Sequence, residues 1–128
     1  MGFANAQGLI NAHLSEATGL RCVTTIPTTR PERFVRTIRT GGYLANGVTD
    51  VARLTFECWA EKKVDAQSDA QHVRAAVLAL RGVTLSGVKV HRVEEISAPM
   101  DSPDPDSSTP RYVLTHEVYL RGTYRKGQ

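Results

Sequence analysis

Residues 52–60, "ARLTFECWA", alternate without a break. Ala52, Leu54, Phe56, Cys58 and Ala60 fall on one side, and Arg53, Thr55, Glu57 and Trp59 on the other. Residues 111–122, "RYVLTHEVYLRG", repeat the pattern, with Tyr112, Leu114, His116, Val118 and Leu120 against Val113, Thr115, Glu117, Tyr119 and Arg121. A strand sends successive side chains to opposite faces, so each run is a strand with one face suited to burial. An apolar sheet face needs a cover, and two helical stretches supply it. Across residues 4–18, Ala6, Leu9, Ile10, His13, Leu14 and Ala17 recur at three- and four-residue spacing, with Gly19 as the stop. Across residues 66–81 the stripe is Ala70, Val73, Ala76, Val77 and Leu80, with Asp65 or Ser68 as the cap and Gly82 as the stop.

The segment "RPERFVRTIRTGG", residues 30–42, places Arg30, Arg33, Arg36 and Arg39 three apart. That spacing suits one face of a helix. Its β-branched residues and the lack of an apolar stripe favour a strand over residues 33–40 that closes at Gly41-Gly42. A strand puts Arg33 and Arg39 on one face and Arg36 on the other, so the arginines form no continuous basic track. The next residues, "GGYLANGVTDV", read as the long tip of a hairpin leading into 52–60. "RCVTTI" (21–26) is a short β-rich run stopped by Pro27, and "GVKVHRVEEI" (87–96) is a further strand. "SAPMDSPDPDSSTP" (97–110) reads as an exposed loop. The expected architecture is a single α+β domain over residues 1–128, in the order α-β-β-β-α-β-β. It has one antiparallel or mixed sheet of about five strands and two helices packed on one face. Leu54, Phe56, Val73, Val77, Leu80, Leu114 and Val118 are its expected core.

No GxSxG, P-loop, HExxH or GxGxxG element is present, so the expectation is a protein that is not an enzyme and holds no cofactor. Zinc would need His91 and His116 to become cross-strand neighbours with Cys58 or a glutamate. Cys22 and Cys58 form no CxxC and read as reduced, small buried side chains. The first twenty residues lack the basic and apolar regions of a signal peptide, and no stretch approaches a membrane span, so no membrane partner is expected. A formal charge of +3 is mild, but its distribution is uneven. Residues 21–40 hold five arginines and one glutamate, while 94–106 hold five acids and no base. A basic edge on one copy and an acidic loop on the next suit head-to-tail self-association. The candidate interface residues are therefore Arg30, Arg33, Arg36, Arg39, Glu94, Glu95, Asp101, Asp104 and Asp106. Trp59 is either an interface anchor or a residue packed beneath a helix. The alternative is a nucleic-acid-binding module using Arg30, Arg33, Arg36 and Arg39.

"RPERFVR" with its following "GG", then "TFECWA", an Ala-rich helix, and "PRY" before the last strand resemble small tail proteins of siphophages that infect actinobacteria, the tail terminators and head–tail joining proteins. The resemblance covers about residues 25–122, and the first helix matches in kind only. It implies a small α+β domain assembling as a hexameric ring on the head-proximal end of the tail tube. The ring would stop tube polymerisation and offer a surface to the head connector or stopper protein, in the neck of a virion assembled in the host cytoplasm. DNA would pass through without sequence-specific binding. Another neck or connector position is the alternative within the same class. No catalytic residues come with the resemblance.

Overall fold

A computed structural model describes residues 2–123. The chain runs α1 (Ala6–Thr18), β1 (Cys22–Val23), β2 (Arg33–Ala45), β3 (Thr49–Ala60), α2 (Lys63–Leu78), β4 (Thr84–Leu85), β5 (Val88–Asp101) and β6 (Arg111–Arg121). All the strands join one mixed sheet in the order β1-β2-β3-β6-β5-β4. Among the described residues only β1 on β2 is parallel. The α+β class, the two helices and the single sheet agree with the sequence reading. The strand count and the order do not, because six strands in the order α-β-β-β-α-β-β-β stand where about five in the order α-β-β-β-α-β-β were expected. The addition is β4, which turns back on β5 through Ser86 and Gly87 at φ 46° and 81°. Two consecutive positive φ values suit a two-residue hairpin turn.

Both helices cover the face formed by the apolar register of β3 and β6. Ile10 and Leu14 of α1, and Ala66, Ala70, Val73 and Val77 of α2, join Leu54, Phe56, Leu114 and Val118 in one buried cluster. All seven expected core residues are fully buried. Asn5 caps α1 by accepting a hydrogen bond from the Gly8 amide, and Gly19 closes it by donating to Ser15. Helix α2 starts at Lys63, before the expected Asp65 or Ser68 caps, and ends at Leu78. Its N-terminus has no side-chain cap, so the apolar stripe gave no signal for where it begins.

Two strands run further than the sequence suggested. Gly41 and Gly42 do not end β2; they form a bulge in it, with a register shift between Arg39 and Gly41, and pairing to β3 continues through Ala45. The result is a long hairpin arm with Tyr43 and Leu44 more than half exposed. Strand β5 continues through Pro99 to Asp101, absorbing its irregular residues in register shifts. The exposed loop is thus 102–110, not 97–110, and it is internally bonded: Asp104 donates its amide to Thr109 and accepts from the Ser108 amide and the Ser107 hydroxyl. The polar tail 124–128 lies outside the described residues.

Candidate functional site

Each of the four arginines has a carboxylate partner in its own chain. Arg33, on the helix side of β2, makes two 2.7 Å hydrogen bonds to Asp69 of α2. Arg39, on the same side, makes a two-pronged contact of 2.7 and 2.8 Å with Asp50 across the hairpin. Arg36, on the opposite face, lies 3.6 Å from Glu57. Arg30 reaches the loop, 3.9 Å from Asp104 and 3.4 Å from the Ser107 hydroxyl. The division of faces agrees with the strand reading of 33–40.

The acidic residues are similarly engaged. Glu94 pairs with Arg92, Glu95 with Arg74 at 2.7 Å, and Asp101 with Lys63 at 2.9 Å. Asp106 has no ion pair among the described residues. Of the two charge groups singled out in the sequence, only Arg30 and Asp104 meet. Asp69, Glu57 and Asp50 were missed as partners. Asp69 did carry a signal: it lies three residues after Ala66 and four before Val73, an acid on the buried stripe of its helix, and its side chain is only 1% exposed. Arg33→Ala would strand that carboxylate. Charge-assisted bonds to a buried group contribute more than surface pairs, and the half-exposed Arg33 tempers this, so the expected loss is about 2–3 kcal/mol. Chemical denaturation checks it, and Arg33→Met with Asp69→Leu should recover most of the loss.

Trp59 is buried, on the face away from the helices. Phe34 stacks on it at 5.6 Å between ring centroids, and the guanidiniums of Arg30 and Arg111 approach its ring at 4.8 and 5.1 Å. Arg111 also donates to Glu57 at 3.3 Å, the carboxylate that faces Arg36. Further along this face, Thr40, Thr55 and Thr115 form a hydroxyl row at 3.2 and 3.0 Å. Arg53 and Glu117 pair beyond it at 3.1 Å. The segments "RPERFVR", "TFECWA" and "PRY" therefore converge at one end of β2, β3 and β6.

The histidines do not meet. His91 packs edge-on against Tyr119, whereas His116 lies on the helix side against Phe56. Among the described residues no three His, Cys, Asp or Glu side chains group as a metal site. Cys22 and Cys58 flank Val35 on successive strands, which sets their Cα atoms roughly 10 Å apart, too far for a disulfide. Burial pushes the Cys22 thiol up to about 11 and the Cys58 thiol higher still, so both stay protonated at neutral pH. No helix among the described residues is long and apolar enough to cross a membrane.

His116 is fully buried, with Nε2 3.2 Å from Glu95 and Arg74 beyond it. Burial lowers its pKa and outweighs the opposing pull of Glu95. An unfolded histidine titrates near 6.5, so between that value and the lower folded one the unfolded chain binds the extra proton. The His116 contribution to stability is then intact above about pH 6.5 and is lost as pH falls. Unfolding measured from pH 7.5 to 5 should show this slope, and His116→Leu should flatten it.

No protein-family model matches the sequence, and no curated protein sequence matches it.

Proposed function

We propose that this chain is a structural subunit of a siphophage neck, a ring that caps the head-proximal end of the tail tube, ends its polymerisation and joins it to the head. The observation that carries this reading is the convergence of the resembling segments on one scaffold. Arg30, Phe34, Trp59 and Arg111 lock together, and the nearby arginines are balanced by carboxylates. These residues shape a surface and carry no evident reactive group. The same balance weighs against the nucleic-acid module, because a phosphate track needs cations free to displace counterions. The partners in this reading are further copies of the chain, the tube protein and the head connector or stopper. The ring sits in the virion neck, and DNA passes through it without sequence-specific contacts.

The test is electron microscopy of tail tubes polymerised with and without the purified protein. Tubes of limited length ending in a ring are expected. Unchanged lengths and bare ends would remove the capping reading. Capture of the head connector without any effect on tube length would move the protein to another neck position. Submicromolar affinity for duplex DNA at physiological salt, with a steep salt slope, would favour the nucleic-acid module instead.

A further inference from the structure

Among the described residues the sheet has two unlike free edges at opposite sides. On one side, β1 pairs with β2 only at Val35 and Arg36, and Gln7 of α1 takes the Arg39 amide, leaving residues 40–45 with no strand outside them among the described residues. On the other side, β4 pairs with β5 only at Val88 and Lys89, leaving residues 91–101 uncovered. Soluble proteins guard such edges with charges, prolines or bulges. β5 is guarded by Pro99 and its register shifts. Residues 40–45 of β2, "TGGYLA", carry no charge and no proline, and present exposed Tyr43 and Leu44. The Gly41-Gly42 bulge is its one guard, and beyond it residues 43–45 stand open to a covering strand.

We infer that the free edge of β2 in one copy pairs with the free edge of β5 in the next, so that the sheet continues from subunit to subunit. The inference rests on the ring reading above and names its contact. Three features favour β5 of a second copy as the occupant. First, direction: from β2 through β3 and β6 to β5 each pairing is antiparallel, so β2 and β5 run oppositely. A rotation about an axis near the strand direction then brings them together as an antiparallel pair, the more stable ladder. Second, height: Tyr43, Val51, Tyr119 and Arg92 form one row across the sheet, and Arg39, Leu54, His116 and Glu95 another. The free stretches therefore stand level. The short covering strands stand at opposite ends, β1 near the height of Asp101 and β4 beside Val88, so they do not collide. Third, chemistry: residues 40–45 are uncharged, so no charge opposes residues 91–95, and the exposed Arg92 falls in the Tyr43 row, where a guanidinium can lie on the ring. Exposed Ile96 follows Glu95 and so stands just past the Arg39 row, at the margin of the facing stretches.

A mixing experiment on the full chain tests the contact. Leu44→Lys spoils the β2 edge, and Arg92→Glu with Ile96→Lys spoils the β5 edge along the stretch that stands level with it. Circular dichroism and thermal melts establish that both variants fold. Sedimentation velocity and amine cross-linking at increasing concentration should give species larger than dimers for the parent and monomers for each variant alone. An equimolar mixture should give dimers and nothing larger, because one intact β2 edge then faces one intact β5 edge. The inference is overturned if the parent stays monomeric to millimolar concentration, if either variant assembles like the parent, or if the mixture gives no dimer. Loss with Leu44→Lys alone, and none with the β5 variant, would mean two β2 edges pair with each other and would also overturn it. Open chains from the parent, with the mixing pattern intact, would sustain the contact and remove ring closure. Closed rings from the parent and both variants would do the reverse.

Discussion

Phe56→Ala should lower the unfolding free energy by about 3–5 kcal/mol. Phe56 sits on β3 with no solvent exposure, paired with Thr37 of β2 and Leu114 of β6. Its ring also lies 6.2 Å from that of His116. Truncation removes the burial of the ring and leaves a cavity beneath α2. The neighbouring strands cannot collapse into it, because their register is fixed by the hairpin on one side and by β6 on the other. Urea denaturation should move the midpoint down with the slope unchanged. Tyr43→Ala, at an exposed position on the arm, is the control and should cost under about 1 kcal/mol. A Phe56→Ala midpoint no lower than that of the control would mean that β3 does not face α2 as described.

The inward registers were legible in the sequence because burial on one face imposes period two. The seven expected core residues came from two strands and one helix with unbroken patterns, and all seven are at zero exposure. Boundaries were harder to read wherever the residue type has two uses. Gly41-Gly42 suits a turn and suits a bulge, and only the pairing of residues beyond it with β3 decides. Pro99 argues against a central strand, yet β5 tolerates it because its outer side is free. The charges were legible as types and not as pairs. Arg33 and Asp69 are 36 residues apart, and Arg111 and Glu57 are 54 apart, so their meeting depends on how strands and helix stack. The expectation of charge-driven assembly changes accordingly: the arginines are committed within one copy, and reversing Arg36 and Arg39 to Glu would set each against Glu57 and Asp50 and disturb the subunit itself.

Gly42→Ala should have the most concentrated effect of any single substitution on the hairpin arm. Gly42 has φ +117°, a conformation that costs an L-residue roughly 1–3 kcal/mol. A Cβ there would also fall 1.9 Å from the carbonyl oxygen of Val51 and 3.0 Å from the Arg53 nitrogen. Both atoms belong to the backbone of β3, so relief requires parting the strands where Gly42 pairs with Ala52. The expected loss is about 3 kcal/mol or more, and it should release residues 43–51 before the rest of the sheet. Gly41 separates the two causes. It has φ +124° but no atom within 4 Å of an added Cβ, so Gly41→Ala should cost only the conformational part. Hydrogen exchange of the Tyr43, Leu44 and Val51 amides, with denaturation of both variants, measures the difference. Because the arm carries the free edge of β2, Gly42→Ala should also abolish assembly under conditions in which Gly41→Ala retains some of it. Equal losses at the two glycines, or full protection of the arm in Gly42→Ala, would show that the bulge is not built as described.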